Sequence, residues 1–233
     1  MTERATGLLL IGATLLAYQL GLLLYRRAAR RVWLHPLLTG TLLMALLLTA
    51  LNISFAEYRQ HTLLFDQLLG LATVALALPL HREFHHLKAF IGPVTVTVIF
   101  GGLVACATAL GLAALAGGSH ELLLALAPKS VTTPIALSIA EQLNANTGLT
   151  TGVVIFTGIL GALMAPLAFR VTGLQDPRSQ GLVLGINAHG VGTARAFETN
   201  PITGAFASLA MGLTGAFTAL WLPATVQALT RGF

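Results

Sequence analysis

A polar interruption lies in the middle of an otherwise apolar stretch of this chain. The stretch, residues 124–143, reads LALAPKSVTTPIALSIAEQL. A helix that crosses a membrane would be most apolar where Pro128, Lys129 and Thr132 stand. Backbone that is not helical is tolerated at membrane depth only beside protein or a water-filled cavity. The stretch therefore predicts a broken helix next to a cavity.

The residues around the interruption predict where each half begins and ends. Thr133 precedes proline, which disfavours the α region, whereas Pro134 has the fixed φ that suits the first turn of a helix. We predict half-helices over about 121–127 and 134–143, with Thr133 as the N-cap of the second. That second half-helix would direct its free N–H groups and the positive end of its dipole into the cavity.

Composition places the whole chain in a bilayer. Of its 233 residues, 55% are hydrophobic and only 9% are charged, against about 25% charged in soluble domains. We predict an all-α polytopic membrane protein with about seven to eight hydrophobic segments, interrupted helices and inverted repeats. Residues 1–233 form one transmembrane domain, with a peripheral N-terminal helix at about 7–25 and a transport core at about 35–229.

Positive charge predicts the orientation. Most of the net charge of +5 lies in arginines and a lysine that flank hydrophobic runs, which is typical of cytoplasmic loops and is no sign of nucleic-acid binding. We expect loops 26–31 and 81–88 inside and the N-terminus outside. Cys106 is the only cysteine, so an intramolecular disulfide is excluded.

Two further segments are interrupted. Residues 180–198 are too polar and too rich in glycine to face lipid, and residues 65–80 carry a milder interruption. GLATVALAL at 70–78 can be aligned with KSVTTPIAL at 129–137. Hydrophobic segments broken by glycine or proline in two halves are typical of transporters built from inverted repeats.

Lys129 and Arg195 are the intramembrane cations that indicate an anion site. Buried charges in a bilayer usually face a cavity or a partner. Arg195 can bind a carboxylate through two hydrogen bonds, and Lys129 supplies a compact charge. The alternative is that both reach an interface or pair internally with Glu141 and Glu198.

Neutral polar residues complete the candidate site. Asn187 and His189 could hydrogen-bond a substrate hydroxyl, while Gly190 and Gly192 let the backbone turn. The alternative for His189 is a buried structural residue whose ring is satisfied by hydrogen bonds within the protein. Thr193 resembles an N-cap of a half-helix over 194–198. Hydroxyls that could bind substrate or Na⁺ belong to Ser130, Thr132 and Thr133, although threonines in membrane helices often only bond their own backbone.

A few residues of the chain are candidates for ion coupling or metal binding. His189 could carry a coupling proton, and Glu141 and Glu198 are the other candidates for H⁺ or Na⁺ coupling. His81, His85 and His86, with Glu83, could bind a metal, but a histidine-rich aqueous loop is the favoured interpretation. We expect no metal and no cofactor, and the absence of catalytic motifs predicts that the chain is not an enzyme.

Three blocks of this sequence resemble the LrgB/CidB family. APKSVTTPIALSIAEQ at 127–142 and NAHGVGTARAFE at 187–198 are similar to its two signature blocks, and LGLATVALALPL at 69–80 is similar to an earlier one. Leu71 stands where that family usually has proline. The resemblance covers about residues 35–229.

The resemblance implies a function that the residues alone do not specify. It implies a carrier of small monocarboxylates such as glycolate, glycerate or pyruvate in the bacterial inner (plasma) membrane, acting beside an LrgA-like partner and as a homo-oligomer. The alternative is a holin-like or antiholin-like protein that modulates murein hydrolases and cell lysis. A carrier needs a defined polar site with access from two sides, whereas a holin-like pore needs oligomerisation and permeabilisation.

Overall fold

The computed structural model describes residues 3–28, 34, 36–75 and 88–231, and every regular element in these ranges is helical. The chain is an all-α polytopic membrane protein, as its composition predicted. It divides into two compact units, Met1–Thr73 and Val74–Phe233. The predicted division into a peripheral helix and a core from about residue 35 stays a prediction.

The first unit holds three helices, α1 Glu3–Arg27, α2 Pro36–Ala50 and α3 Phe55–His61, and all but the last two residues of a fourth, α4 Leu63–Ala75. Helices α1 and α2 pack closely because Gly40 has no side chain; a Cβ there would lie 3.4 Å from Tyr18 Cα. Helix α3 turns away from α2 by 110°. Its Tyr58 hydroxyl lies 2.9 Å from Thr14 Oγ1 of α1, so a polar contact fixes this bend.

The second unit holds six described helices: α5 Ile91–Leu115, α6 His120–Leu126, α7 Thr133–Gln142, α8 Thr147–Thr172, α9 Pro177–Thr199 and α10 Pro201–Arg231. We call the side on which α5 begins the first side and the side on which it ends the second side. The Arg178 guanidinium lies 4.7 Å from the centre of the Phe90 ring, and that ring is 6.0 Å from the ring of Phe206. Helices α5, α9 and α10 therefore all begin on the first side.

Helices α6 and α7 form a re-entrant hairpin, hairpin A (residues 120–142). Its two ends are joined, because Asn146 Nδ2 after α7 donates to Glu121 Oε1 in α6 over 2.9 Å. With seven and ten residues, the arms extend about 10 and 15 Å, which is half of a hydrocarbon core or less. Hairpin A thus enters from the second side and returns to it, and its turn lies at membrane depth.

Helix α9 is also a hairpin, hairpin B (residues 177–199), because the chain reverses at His189. That residue has φ 38° and ψ −126°, while its neighbours are helical. A Cβ on Gly192 would lie 2.5 Å from the Leu184 carbonyl oxygen, whereas a straight helix separates residues eight apart by about 12 Å. Leu184 and Ala196 from the two arms share one buried cluster. The interruption predicted for 180–198 is therefore confirmed, but a single residue makes the turn.

The loop before hairpin B begins its first arm. The Asp176 carboxylate accepts hydrogen bonds from Ser179 N (3.1 Å), Ser179 Oγ (2.8 Å) and Arg178 Nε (3.1 Å). The Ser179 hydroxyl is the largest cause that lowers the pKa of this exposed carboxyl. Because the ionised form is favoured in the fold, this cap stabilises hairpin B at neutral pH and weakens as the pH falls through that lowered pKa.

Two consecutive pairs of elements have opposite directions. Helix α5 crosses from the first side and is followed by hairpin A on the second side. Helix α8 crosses back and is followed by hairpin B on the first side. Each pair is a spanning helix plus a re-entrant hairpin, so the second unit has inverted topology. The predicted similarity of 70–78 to 129–137 falls partly outside the described residues and stays a prediction.

Four described helices are long and apolar enough to span a membrane: Ala5–Arg27, Ile91–Leu115, Thr147–Thr172 and Pro201–Ala228. A fifth span results if the bent pair of the first unit is counted as one. The predicted seven to eight hydrophobic segments are therefore not confirmed. Part of the difference arises because hairpins A and B do not cross.

Cysteine labelling can test the two hairpins. On a Cys106→Ala background, single cysteines at Ala116 and Gln142 should react with an impermeant maleimide from one side of the membrane. Cysteines at Thr172 and Pro201 should react from the other side. Labelling of positions 116 and 142 from opposite sides would show that hairpin A crosses the bilayer.

Candidate functional site

The turn of hairpin A places polar groups next to a buried wall. The Lys129 ammonium donates to Ser130 Oγ over 3.3 Å, and Val131 is fully buried. Cys106 Sγ of α5 contacts the Ala127 carbonyl oxygen at 3.5 Å. These contacts hold the turn between α5 and the arms of the hairpin, with Lys129 half-buried.

Helix α7 begins one residue earlier than predicted. Thr132, with φ −66° and ψ 150°, is the N-cap, and Thr133 is the first helical residue. The prediction that Thr133 caps was wrong because Pro134 fits equally well at the second position, where its missing N–H has no intrahelical partner to lose. Thr132 Oγ1 makes no capping bond; it is buried and has no hydrogen-bond partner among the described residues.

The turn of hairpin B places His189 against α8. The imidazole is buried, and its Nε2 lies 3.0 Å from the Val154 carbonyl oxygen. Because a carbonyl only accepts, Nε2 carries a proton in this contact. Such a bond satisfies one side of the ring, as expected for a buried structural histidine.

Other polar residues of hairpin B have local roles. Asn187 is exposed, and its amide donates to the Val183 carbonyl over 3.0 Å. The Thr193 hydroxyl donates to the His189 carbonyl over 2.8 Å, so Thr193 braces the return arm. The prediction that it caps a half-helix was wrong, since that arm begins directly after His189. Gly192 provides the close approach of the two arms, while a Cβ on Gly190 would meet nothing within 4 Å.

The turns of the two hairpins come together on α8. Val154 shares a buried cluster with Ala127 and Val131 of hairpin A, and its carbonyl contacts His189 of hairpin B. Lys129 lies in the same turn of hairpin A, between Ala127 and Val131. We call this group the tip site: Lys129, Ser130, Thr132 and His189.

Arg195 does not belong to the tip site. It lies six residues beyond His189 on the return arm of hairpin B, about 9 Å along the helix. Its Nη1 lies 2.6 Å from Glu198 Oε2, so the internal pairing considered for this cation is present. It lines a cavity of about 580 Å³ that Lys129 does not line. Lys129 and Arg195, the two cations that indicated one anion site, therefore lie at two separate places. Glu141 is exposed, and no ion pair links it to Lys129 within the described ranges.

Some features of the site were not predicted from sequence. Val154 contributes only a backbone carbonyl, which no sequence pattern reveals. Arg170 and Thr203 line the same cavity as Arg195; Arg170 ends a span and resembles an ordinary flanking charge. The glycines of α8 were a usable signal, because small residues indicate close packing.

The residues of the histidine-rich loop, His81, Glu83, His85 and His86, lie outside the described residues. In the part of the chain that is described, no three His, Cys, Asp or Glu side chains are grouped to hold a metal.

Gly158 of α8 provides the space for the His189 ring. A Cβ at this position would lie 2.6 Å from His189 Cε1 and 2.8 Å from Nε2. Gly158→Ala should therefore displace the ring and break its bond to Val154. We expect a net loss of stability of about 1–3 kcal/mol from overpacking, reduced by the better helix propensity of alanine. Thermal unfolding of the purified protein in detergent measures it.

Gly152, on the same helix, is the matched control, because a Cβ there would meet nothing within 4 Å. Gly152→Ala should keep or raise the unfolding temperature, since alanine favours helix by about 1 kcal/mol over glycine. Equal unfolding temperatures of the two variants would contradict the described position of the ring.

The chain is similar to known proteins along nearly its whole length. The family model described as LrgB-like family matches residues 14–228. The uncharacterized protein YwbG of Bacillus subtilis is 31% identical over 91% of this chain and 94% of its own, and YxaC of the same organism is 30% identical over 97% and 98%. The antiholin-like protein LrgB of Bacillus mycoides is 26% identical over 91% and 93%. No solved structure matches.

Proposed function

Because the chain belongs to the LrgB-like family, we propose that this multi-pass membrane protein is a carrier of small monocarboxylates of the glycolate, glycerate and pyruvate type. One observation carries the proposal: two re-entrant hairpins enter from opposite sides and their turns meet on α8. Secondary transporters bind substrate near the midplane, where discontinuous helices of inverted repeats meet.

The tip site has the chemistry that a small carboxylate needs. Lys129 supplies a positive charge whose recorded side-chain hydrogen bond is to the neutral Ser130 hydroxyl. The first N–H groups of α7 point out of a helix start and favour an anion. Thr132 Oγ1 is buried without a partner among the described residues, and in this proposal it bonds a substrate hydroxyl or keto oxygen.

Ion coupling is part of the proposal. His189 lies at the turn of hairpin B, which meets the turn of hairpin A at Val154, and would link proton binding to the occupancy of the tip site. Thr132 and Ser130 offer hydroxyl oxygens for Na⁺. Glu141 and Glu198 lie on hairpin arms, away from the turns, and are secondary candidates.

A holin-like or antiholin-like role is the second candidate function. Relatives such as that of Bacillus mycoides carry the name antiholin-like protein, which favours this reading. A pore that permeabilises a membrane has no need for two opposed hairpins with a half-buried lysine at one turn and a buried histidine at the other. We therefore rank the carrier first.

We also propose a membrane, an oligomeric state and a partner for this chain. We place the chain in a bacterial inner (plasma) membrane as a homo-oligomer, with an LrgA-like protein as partner. We propose no enzymatic activity and no cofactor, because transport driven by a gradient requires neither.

Uptake by the purified full-length protein in liposomes tests the proposal. With an imposed pH or Na⁺ gradient, labelled glycolate, glycerate or pyruvate should accumulate above the level of protein-free liposomes, and excess unlabelled acid should saturate the process. A trapped dye of similar size should stay inside. Release of the dye without saturable uptake would instead establish the holin-like role.

A further inference from the structure

A cavity of the first unit lies between its first three helices. It has a volume of about 330 Å³ and is lined by residues of α1, α2 and α3. On α2 the lining residues extend from Pro36 to Leu48 along one face of the helix, which is a length of about 18 Å. We call this cavity the tyrosine groove, because Tyr18 of α1 and Tyr58 of α3 line it.

The tyrosine groove extends from the membrane surface into the bilayer. Helix α3 carries the exposed residues Glu57, Arg59 and Gln60 and turns away from α2 by 110°, as expected of a short helix that lies along the surface. The length of the groove, about 18 Å, is close to the thickness of one leaflet, which is about half of a 30 Å hydrocarbon core. The groove is therefore long enough to hold an acyl chain of a lipid from the same leaflet.

The walls of the tyrosine groove are mostly apolar and carry no charge. Apolar and aromatic residues supply most of the lining, among them Gly40, Met44, Ala45, Leu48 and Phe55. In the described part of the chain, no Asp, Glu, Lys, Arg or His side chain lines it. An ionised ligand would lose its hydration here without gaining a counter-charge. Apolar cavities with a few polar groups are typical of small-molecule sites, and this one suits an uncharged ligand.

Two hydroxyls at the α3 end of the groove form a hydrogen bond whose direction is fixed. Thr14 Oγ1 donates to the Leu10 carbonyl oxygen over 2.8 Å, and a hydroxyl has only one proton. In the 2.9 Å contact between Thr14 Oγ1 and the Tyr58 hydroxyl, Tyr58 is therefore the donor. Its proton is used, while its oxygen can still accept. This end of the groove thus suits a ligand that donates a hydrogen bond, such as an alcohol, over a ketone or quinone, which only accepts.

We propose that the tyrosine groove binds a neutral membrane lipid with one free hydroxyl, of the diacylglycerol type. The hydroxyl of the lipid donates to the Tyr58 oxygen at the α3 end. One acyl chain lies along the face of α2, from Leu48 toward Pro36. The site belongs to the first unit alone, so it does not depend on the carrier function proposed for the tip site.

Native mass spectrometry of the full chain in a non-ionic detergent can measure this binding. The two probes are dioleoylglycerol and the same lipid with its hydroxyl converted to a methyl ether, each added at the same concentration. The chain should retain the alcohol about threefold to tenfold better than the ether, the factor expected for one neutral hydrogen bond. The double variant Thr14→Val/Tyr58→Phe removes both hydroxyl oxygens and should retain the two lipids equally.

Ala45→Trp tests where the lipid binds. Ala45 lines the groove and is exposed, so an indole there would fill the space of the acyl chain without entering a packed core. Retention of dioleoylglycerol should fall by about tenfold or more. The matched control is Leu46→Trp, because Leu46 is the next residue, is also exposed and does not line the groove. This control should retain the lipid like the unmodified chain.

Any of three results would overturn the proposal. Equal retention of the alcohol and the ether by the unmodified chain would remove the hydroxyl contact. Equal retention of dioleoylglycerol by Ala45→Trp and Leu46→Trp would place the lipid elsewhere. Loss of a dimer, with no lipid retained by the unmodified chain, would show that a second copy covers the groove. Uptake by the unmodified chain is a separate measurement, so these results leave the carrier function open to its own test.

Discussion

Lys129→Ala is expected to reduce uptake of a small monocarboxylate into liposomes by about tenfold to a hundredfold. The ammonium lies at the turn of hairpin A and is half-buried, and its described hydrogen bond is to a neutral hydroxyl. Hydrogen bonds to charged groups contribute about 1.5–3 kcal/mol each. Losing one such hydrogen bond to the substrate therefore weakens substrate binding by the factor expected for uptake. Initial rates over a range of substrate concentrations measure it.

Lys88→Ala is the matched control, because Lys88 is the only other lysine of the chain and is exposed before α5. It should transport like the unmodified protein once the amount of reconstituted protein is equal. Lys129→Arg keeps the charge but not the compact shape and should fall between the two. Unchanged transport by Lys129→Ala would remove Lys129 from the site and favour the holin-like role.

Gly192→Ala is expected to cause a larger loss of stability than the other substitutions, about 3 kcal/mol or more. A Cβ there would lie 2.5 Å from the Leu184 carbonyl oxygen and 2.6 Å from Ala188 Cβ. Neither atom can move without separating the two arms of hairpin B, since both belong to the main chain or are attached directly to it. Thermal unfolding in detergent should show a strongly lowered midpoint or protein that does not accumulate.

Gly190→Ala, two residues away in the same arm, is its control. A Cβ at Gly190 would meet nothing within 4 Å, so the midpoint should stay close to that of the unmodified chain. If Gly192→Ala unfolds like Gly190→Ala, the two arms are not packed as described and α9 is not a hairpin.

The break within hairpin A could be predicted closely because its signals are local, whereas the re-entrant path was not predicted. The predicted half-helices, 121–127 and 134–143, differ by one residue from His120–Leu126 and Thr133–Gln142. Proline and the residues before it restrict their own backbone, so the sequence alone locates the break. The N-cap was wrong by one residue because proline is compatible with more than one position in the first turn.

The second hairpin could be predicted only as an interruption. Its reversal depends on His189 in a backbone region that few residues other than glycine adopt. That conformation is held by contacts with Val154 and Gly158, which are remote in sequence. For the same reason the sequence could not separate Lys129 from Arg195: both are cations beside breaks, and their distance depends on which arm each occupies.

The opposed hairpins have a consequence for how this molecule could change state. The two pairs, α5 with hairpin A and α8 with hairpin B, face opposite sides of the membrane. Each pair can adopt a local conformation similar to that of the other. If the first pair adopts the arrangement now held by the second, and the second adopts that of the first, the result is the same fold open toward the other face of the bilayer. Both end states would then contain the same two arrangements, exchanged between the two pairs of elements. The change back to the first state would use the same packing contacts between helices.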